Sequence, residues 1–239
     1  MIGRLALNLA IAALPAIAFV SGAAQRTGIS LGRFYKAFLA GLIVVVPAIA
    51  IMLLVSAAPA GVDGFLGEVV DAFVVAGLVE EAAKIASVAW SISLLSGTRP
   101  SAPGPPSRGE VGAISATAGL GFAFLENAFY VVGSSSLLLA RALLAVPLHG
   151  ATAVILGFAI LPPQQAARPA PAAWPEPVTK AGGGRRAMMG LFVAVLIHGT
   201  YDLAVVQAVW LSPAVVLLAV AVALKFQADS EKPRSGRKS

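Results

Sequence analysis

Glu80, Glu81 and Lys84 stand together in the stretch GLVEEAAKIASVAW, where nearly every other residue is apolar or small. Two adjacent carboxylates in a low-dielectric setting cannot both ionise cheaply, and a lysine one turn further on favours the charged form of one of them. An anion beside a neutral acid is the pairing that general acid–base chemistry uses. Further along the chain come Glu126, Arg141, His149, His198 and Asp202, each again in an apolar run. Two imidazoles could polarise a carbonyl, hold an oxyanion or bind a metal. Asp202 follows His198 by one helical turn and could orient its ring. The reaction these groups imply is attack of an activated water on a carbonyl, and the carbonyl within reach of such a setting is a peptide bond of another membrane protein. Ser87, Ser91 and Ser93 read as back-bonded helix serines rather than nucleophiles. There is no H-E-x-x-H zinc motif and no cysteine, so thiolate chemistry and disulfides are excluded.

The elements that must position these groups are membrane-spanning helices. The chain is 58% apolar and 12% charged with a mean hydropathy of +0.87, far from the usual balance of a soluble domain. Roughly seven hydrophobic segments can be drawn, at 2–20, 37–58, 72–95, 111–132, 137–161, 187–208 and 211–226. The last two form an apolar run that would make a single helix of about 60 Å, twice the hydrocarbon thickness, so the chain must turn back at the WLSP of Trp210–Pro213. Alternate connections are basic. Arg26, Arg33 and Lys36 lie in the first, Arg99 and Arg108 in the third, Arg168, Lys180, Arg185 and Arg186 in the fifth, and Lys225, Lys232, Arg234, Arg237 and Lys238 in the tail. The second holds Asp63 and Glu68, with Asp71 at its edge, and the fourth (GSSS) is neutral. The positive-inside rule then places the C-terminus in the cytoplasm and the N-terminus outside, with the first span retained. The net charge of +6 reflects this topology and contact with anionic headgroups, not nucleic acid.

The expected organisation is one all-α polytopic domain over residues 1–227, with its motif core at 72–208. Pro- and Gly-rich flexible loops cover 97–110 and 162–186, and 228–239 forms a basic cytoplasmic tail. Unpaired, the six formal charges within the spans could cost roughly 15–20 kcal/mol, so they should face one another inside the bundle. Helical rise from the outer ends places Glu80, Glu81, His149 and His198 at depths of about 12–18 Å, and Glu126, Asp202 and Arg141 at about 6–9 Å. Four helices thus deliver polar groups to one layer. Lys84 sits a turn deeper, as a charge partner for Glu80 or Glu81, and Arg141 pairs with Glu126 or Asp202. Gly112, Gly119, Gly121 and Gly199 permit close helix approach.

The motifs EEAAK at Glu80–Lys84, FAFLENAFY at Phe122–Tyr130, RALLAVPLH at Arg141–His149 and HGTYD at His198–Asp202 resemble, in order, those of the PrsW family of bacterial intramembrane proteases. That family is distantly similar to the CAAX prenyl endopeptidases. The resemblance implies Glu80 and Glu81 as the first catalytic pair, Glu126 as a second acid, and His198 with Asp202 as the third motif. It implies a bacterial plasma-membrane enzyme cutting a membrane protein, of which a single-span anti-sigma factor is the best-known type. His149, His198 and Glu81 could ligate a divalent metal such as zinc, or the acids could work without one. A proton-coupled transporter is the rival function, because intramembrane Glu, Asp and His chains also relay protons. A non-catalytic scaffold or immunity protein is the other.

Overall fold

A computed structural model describes residues 2–56, 62–95, 106–133, 138–161 and 183–229. The GSSS turn, most of both Pro-rich loops with Arg99, Arg168 and Lys180, and the tail basic residues from Lys232 onward lie outside the described residues. All regular structure among the described residues is helical: α1 (Ile2–Thr27), α2 (Leu31–Ser56), α3 (Gly64–Val70), a π-helical stretch (Asp71–Leu78) continuing into α4 (Val79–Ser93), α5 (Arg108–Gly133), α6 (Leu138–Leu143), α7 (Ala145–Ile160), α8 (Gly183–Gln207), a single 3-10 turn (Val209–Leu211) and α9 (Ser212–Asp229).

Several boundaries differ from the sequence expectation, each for a local reason. Arg26 lies in the last turn of α1, and Arg33 and Lys36 lie in the first turns of α2, so the first connection shrinks to a tight turn. Gly28 makes that turn possible with φ of 69°, its N–H closing onto the Ala24 carbonyl. The loop expected to run to residue 110 ends sooner, because Ser107 and Glu110 form a capping box: the Ser107 N–H donates to Glu110 Oε2 at 2.7 Å, and the Glu110 N–H donates to Ser107 Oγ at 3.3 Å. Likewise α8 begins at Gly183, inside the expected 162–186 loop, and α9 runs to Asp229, just into the expected tail. The segment drawn as 137–161 is two helices. Pro147 has no N–H for the Leu143 carbonyl and its ring crowds that oxygen, so α6 stops at Leu143 and α7 starts afresh.

Among the described residues, five helical stretches are long and apolar enough to cross a membrane: Asn8–Thr27, Leu31–Ser56, Leu139–Ile160 (α6 with α7), Gly184–Gln207 and Val209–Ala228. The two expected spans outside this set, 72–95 and 111–132, carry Glu80–Lys84 and Glu126. They need not look lipophilic where protein replaces lipid: α5 is buried at every position from Glu110 to Ala123. α7 is buried on nearly all its faces, and the two helices pack together at the centre of the bundle. At Gly119 a Cβ would collide with the His149 carbonyl oxygen, so glycine there lets α5 approach α7 at the level of the imidazole. At Gly199 a Cβ would collide with the Phe73 ring, which seats the π-helical stretch on α8. Gly112, by contrast, would meet only ordinary van der Waals neighbours. One apolar cluster joins Phe34, Val88, Ile92, Ile114 and Phe158 from α2, α4, α5 and α7, and another joins Leu148, Ile155, Ile197, Tyr201 and Ala219 from α7, α8 and α9.

Candidate active site

The first turn of α4 carries Glu80 and Glu81, delivered by the π-helical stretch that precedes it. Such wide turns cost stability and cluster at functional sites, because the extra residue re-aims the side chains beyond it. Nothing in AFVVAGL announces it in the sequence. α5 contributes Glu126 and Asn127, α6 contributes Arg141, α7 contributes His149 and Thr152, and α8 contributes His198 and Asp202. Glu81 and Lys84 are fully buried, and Glu80, His149 and His198 nearly so.

Glu81 is the hub. Its Oε1 accepts from Lys84 Nζ at 2.6 Å, from Thr152 Oγ1 at 3.2 Å, and lies 2.7 Å from His198 Nδ1. The carboxylate accepts there, so the imidazole donates from Nδ1 and turns Nε2 toward the cleft. Lys84 Nζ also lies 2.6 Å from His149 Nδ1 and 4.7 Å from the Phe122 ring centroid. An ammonium has donors only, so His149 accepts at Nδ1 and carries its hydrogen on Nε2. That nitrogen lies 2.7 Å from Glu126 Oε2, while Glu126 Oε1 accepts from Arg141 Nη2 at 2.5 Å. Arg141 Nε donates to Asn127 Oδ1 at 2.6 Å, and its guanidinium stacks 3.8 Å from the Tyr130 ring centroid. The two imidazoles meet edge to face with centroids 5.1 Å apart.

Every ionisable residue singled out within the spans therefore joins one connected network. Two sequence expectations need correction. Asp202 does not hold the His198 ring by a hydrogen bond: its Oδ2 is 3.5 Å from Nε2, and the orienting contact comes from Glu81 at Nδ1. The metal-competent trio is Glu80, His149 and His198, whose donor atoms lie within 4.8 Å of one another, rather than a set with Glu81, whose Oε1 is taken up by Lys84, Thr152 and His198. Sequence reasoning passed over Thr152 altogether, although its i+3 spacing from His149 puts the two on one helix face. Ser87, Ser91 and Ser93 donate to the carbonyls of Lys84, Ser87 and Trp90, as expected of back-bonded serines.

A gap remains in the network. His198 Nε2 is 3.6 Å from Glu80 Oε2 and 3.5 Å from Asp202 Oδ2, too far for hydrogen bonds and close enough for one small ligand to touch all three. The buried Glu80 Oε2 has no hydrogen-bond partner. Asp202, at 31% side-chain exposure the most open member, marks the side from which water can enter.

The model of the PrsW family of intramembrane metalloproteases matches residues 31–226. The chain belongs to that family. As a PrsW-family protein it is a protease, a multi-pass membrane protein acting on membrane-protein substrates in a lipid environment, and the transporter reading loses its support. No curated protein and no solved structure matches the chain. The family's metal requirement fits the donor set here: two imidazoles and the Glu80 carboxylate, whose Oε2 has no hydrogen-bond partner, suit a borderline cation such as zinc.

Proposed function

We propose that this PrsW-family chain hydrolyses a peptide bond of a single-span membrane protein, an anti-sigma factor being one such substrate, in the outer half of a bacterial plasma membrane. In this reading the 72–95 and 111–132 helices span as well, giving seven crossings with the N-terminus outside and the C-terminus in the cytoplasm. The observation that carries the proposal is the gap bounded by Glu80 Oε2, His198 Nε2 and Asp202 Oδ2 inside a buried network, with the Glu80 oxygen left without a hydrogen-bond partner.

Glu80 is the base. It takes a proton from a water held in the gap, and the oxygen attacks the carbonyl carbon of the scissile bond. His149 Nε2–H, kept on that nitrogen by Lys84 at Nδ1 and resting against Glu126 Oε2, shifts from that carboxylate to the developing oxyanion. The proton on Glu80 then passes to the leaving amide nitrogen. Glu81 holds His198 in the tautomer that presents Nε2 to the gap, and Thr152 and Lys84 hold Glu81. Glu80, His149 and His198 would hold the metal, which when bound lowers the pKa of water and polarises a carbonyl. Ligation through His149 Nε2 would require that atom to release its hydrogen to Glu126 Oε2, so the imidazole serves either as the oxyanion donor or as a ligand, not both at once.

The test is cleavage of a single-span reporter by the purified full chain in proteoliposomes, with zinc content measured on the same sample. The wild-type chain should cut the reporter, and His198→Ala, folded to the same helical content, should cut it far more slowly. Equal cutting by the two would remove this site from the reaction.

A further inference from the structure

One groove lies away from the catalytic network. It has a volume of about 340 Å³ and runs between α2 and α4, lined by Lys36, Leu39, Ile43, Val44, Ala86 and Trp90. The lining brings Lys36 and Leu39, from the start of α2, beside Ala86 and Trp90, from the second half of α4, so the two helices meet here near the end that carries Arg33 and Lys36. Toward the opposite end the two helices close up, with Val45, Ala48, Ala83 and Phe122 packed between this groove and the catalytic layer. The groove therefore ends against packed side chains on the side of the catalytic network.

Its chemistry is asymmetric. The floor and walls are hydrocarbon, and the serine on its floor, Ser87, already donates to the Lys84 carbonyl. Lys36, the charged residue of the lining, sits at the mouth with no acidic side chain beside it in the groove. Arg33 stands one turn nearer the surface on the same helix, whose first turn carries no acid. Trp90 is half exposed at the same end of the furrow, where an indole favours the headgroup boundary. From Lys36 to Val44 the furrow extends about 12 Å along the helix. One acyl chain is narrow enough to lie along such an apolar furrow, and Lys36, given no acid by the lining, calls for an anion at its end.

We propose that this furrow is a binding site for an anionic phospholipid, with an acyl chain along Leu39, Ile43, Val44 and Ala86 and the phosphate at Lys36, supported by Arg33. The site is independent of the catalytic reading, since it shares no residue with the network and its test does not involve cleavage.

The experiment uses the full chain with Trp90 as the reporter (W174F and W210F), reconstituted in bilayers of phosphatidylcholine with a fixed fraction of brominated phosphatidylglycerol or brominated phosphatidylcholine. Brominated phosphatidylglycerol should quench Trp90 with a roughly fivefold preference, the scale of one lysine against an anionic headgroup. Lys36→Ala, with helical content unchanged, should bring the two curves together. Equal quenching by both lipids in the Lys36 protein would overturn the proposal. So would a preference that survives Lys36→Ala, which places the headgroup elsewhere, or quenching by neither lipid, which means that a second copy or another protein helix fills the furrow.

Discussion

The two imidazoles of this site are near neighbours with opposite supports. His198 has a carboxylate at Nδ1, from Glu81, and faces the open gap with Nε2. His149 has a lysine at Nδ1 and faces Glu126 with Nε2. The same side chain is thus set as an acceptor toward the cleft in one half and as a donor in the other. The difference arises because Glu81 and Lys84, one turn apart on α4, reach different rings. It teaches that adjacent glutamates need not share a job. Glu81 has one oxygen, Oε1, held by Lys84, Thr152 and His198, while the unpartnered Oε2 of Glu80 faces the gap across from His198 Nε2.

The sharpest way to break this comparison is to neutralise each glutamate in turn. Glu80→Gln should lower cleavage by about 10²–10⁴-fold, the range for loss of a positioned base, with thermal stability near wild type. Comparable activity in Glu80→Gln and wild type would reverse the assignment of the pair. Lys84→Met should act chiefly on the fold: it strands Glu81 without its cation, and thermal unfolding in detergent should register a loss of about 3–5 kcal/mol. An unchanged melting curve would show that Glu81 does not depend on Lys84. Glu81→Gln should sit between these effects in character, reducing cleavage by roughly 10–100-fold through misorientation of His198. A loss as large as that of Glu80→Gln would erase the asymmetry between the two acids. The smallest effect should come from Thr152→Val, which removes one hydrogen bond to Glu81 at a cost of about 1 kcal/mol, read as a small drop in melting temperature.

Much of this was legible in the chain itself. Glu80, Glu81, Lys84, Glu126, Arg141, His149, His198 and Asp202 stand out because charge and imidazole are rare in apolar helices, and equal rise per residue on several spans is enough to infer a common layer. What helical counting cannot deliver is rotation about the helix axis. Whether Glu80 or Glu81 meets His198 depends on the π-helical stretch at Asp71–Leu78, and which neighbour His149 faces depends on the break before Ala145, since each shifts the phase of the residues beyond it. The Pro147 break had a visible cause in the sequence, and so did the Ser107–Glu110 capping box that extends α5. The π-helical stretch had none, since it is stabilised by tertiary contact of Gly77 and Phe73 with α8 rather than by local preference.

The central claim is that both imidazoles serve one reacting point. A double-mutant cycle on cleavage by His149→Ala, His198→Ala and the combined variant tests it most directly, because groups that act as a unit are not additive. The double variant should cut no more slowly than the worse of the two single variants. A double variant whose loss equals the product of the two single losses would mean that the rings work independently, and would contradict a shared site.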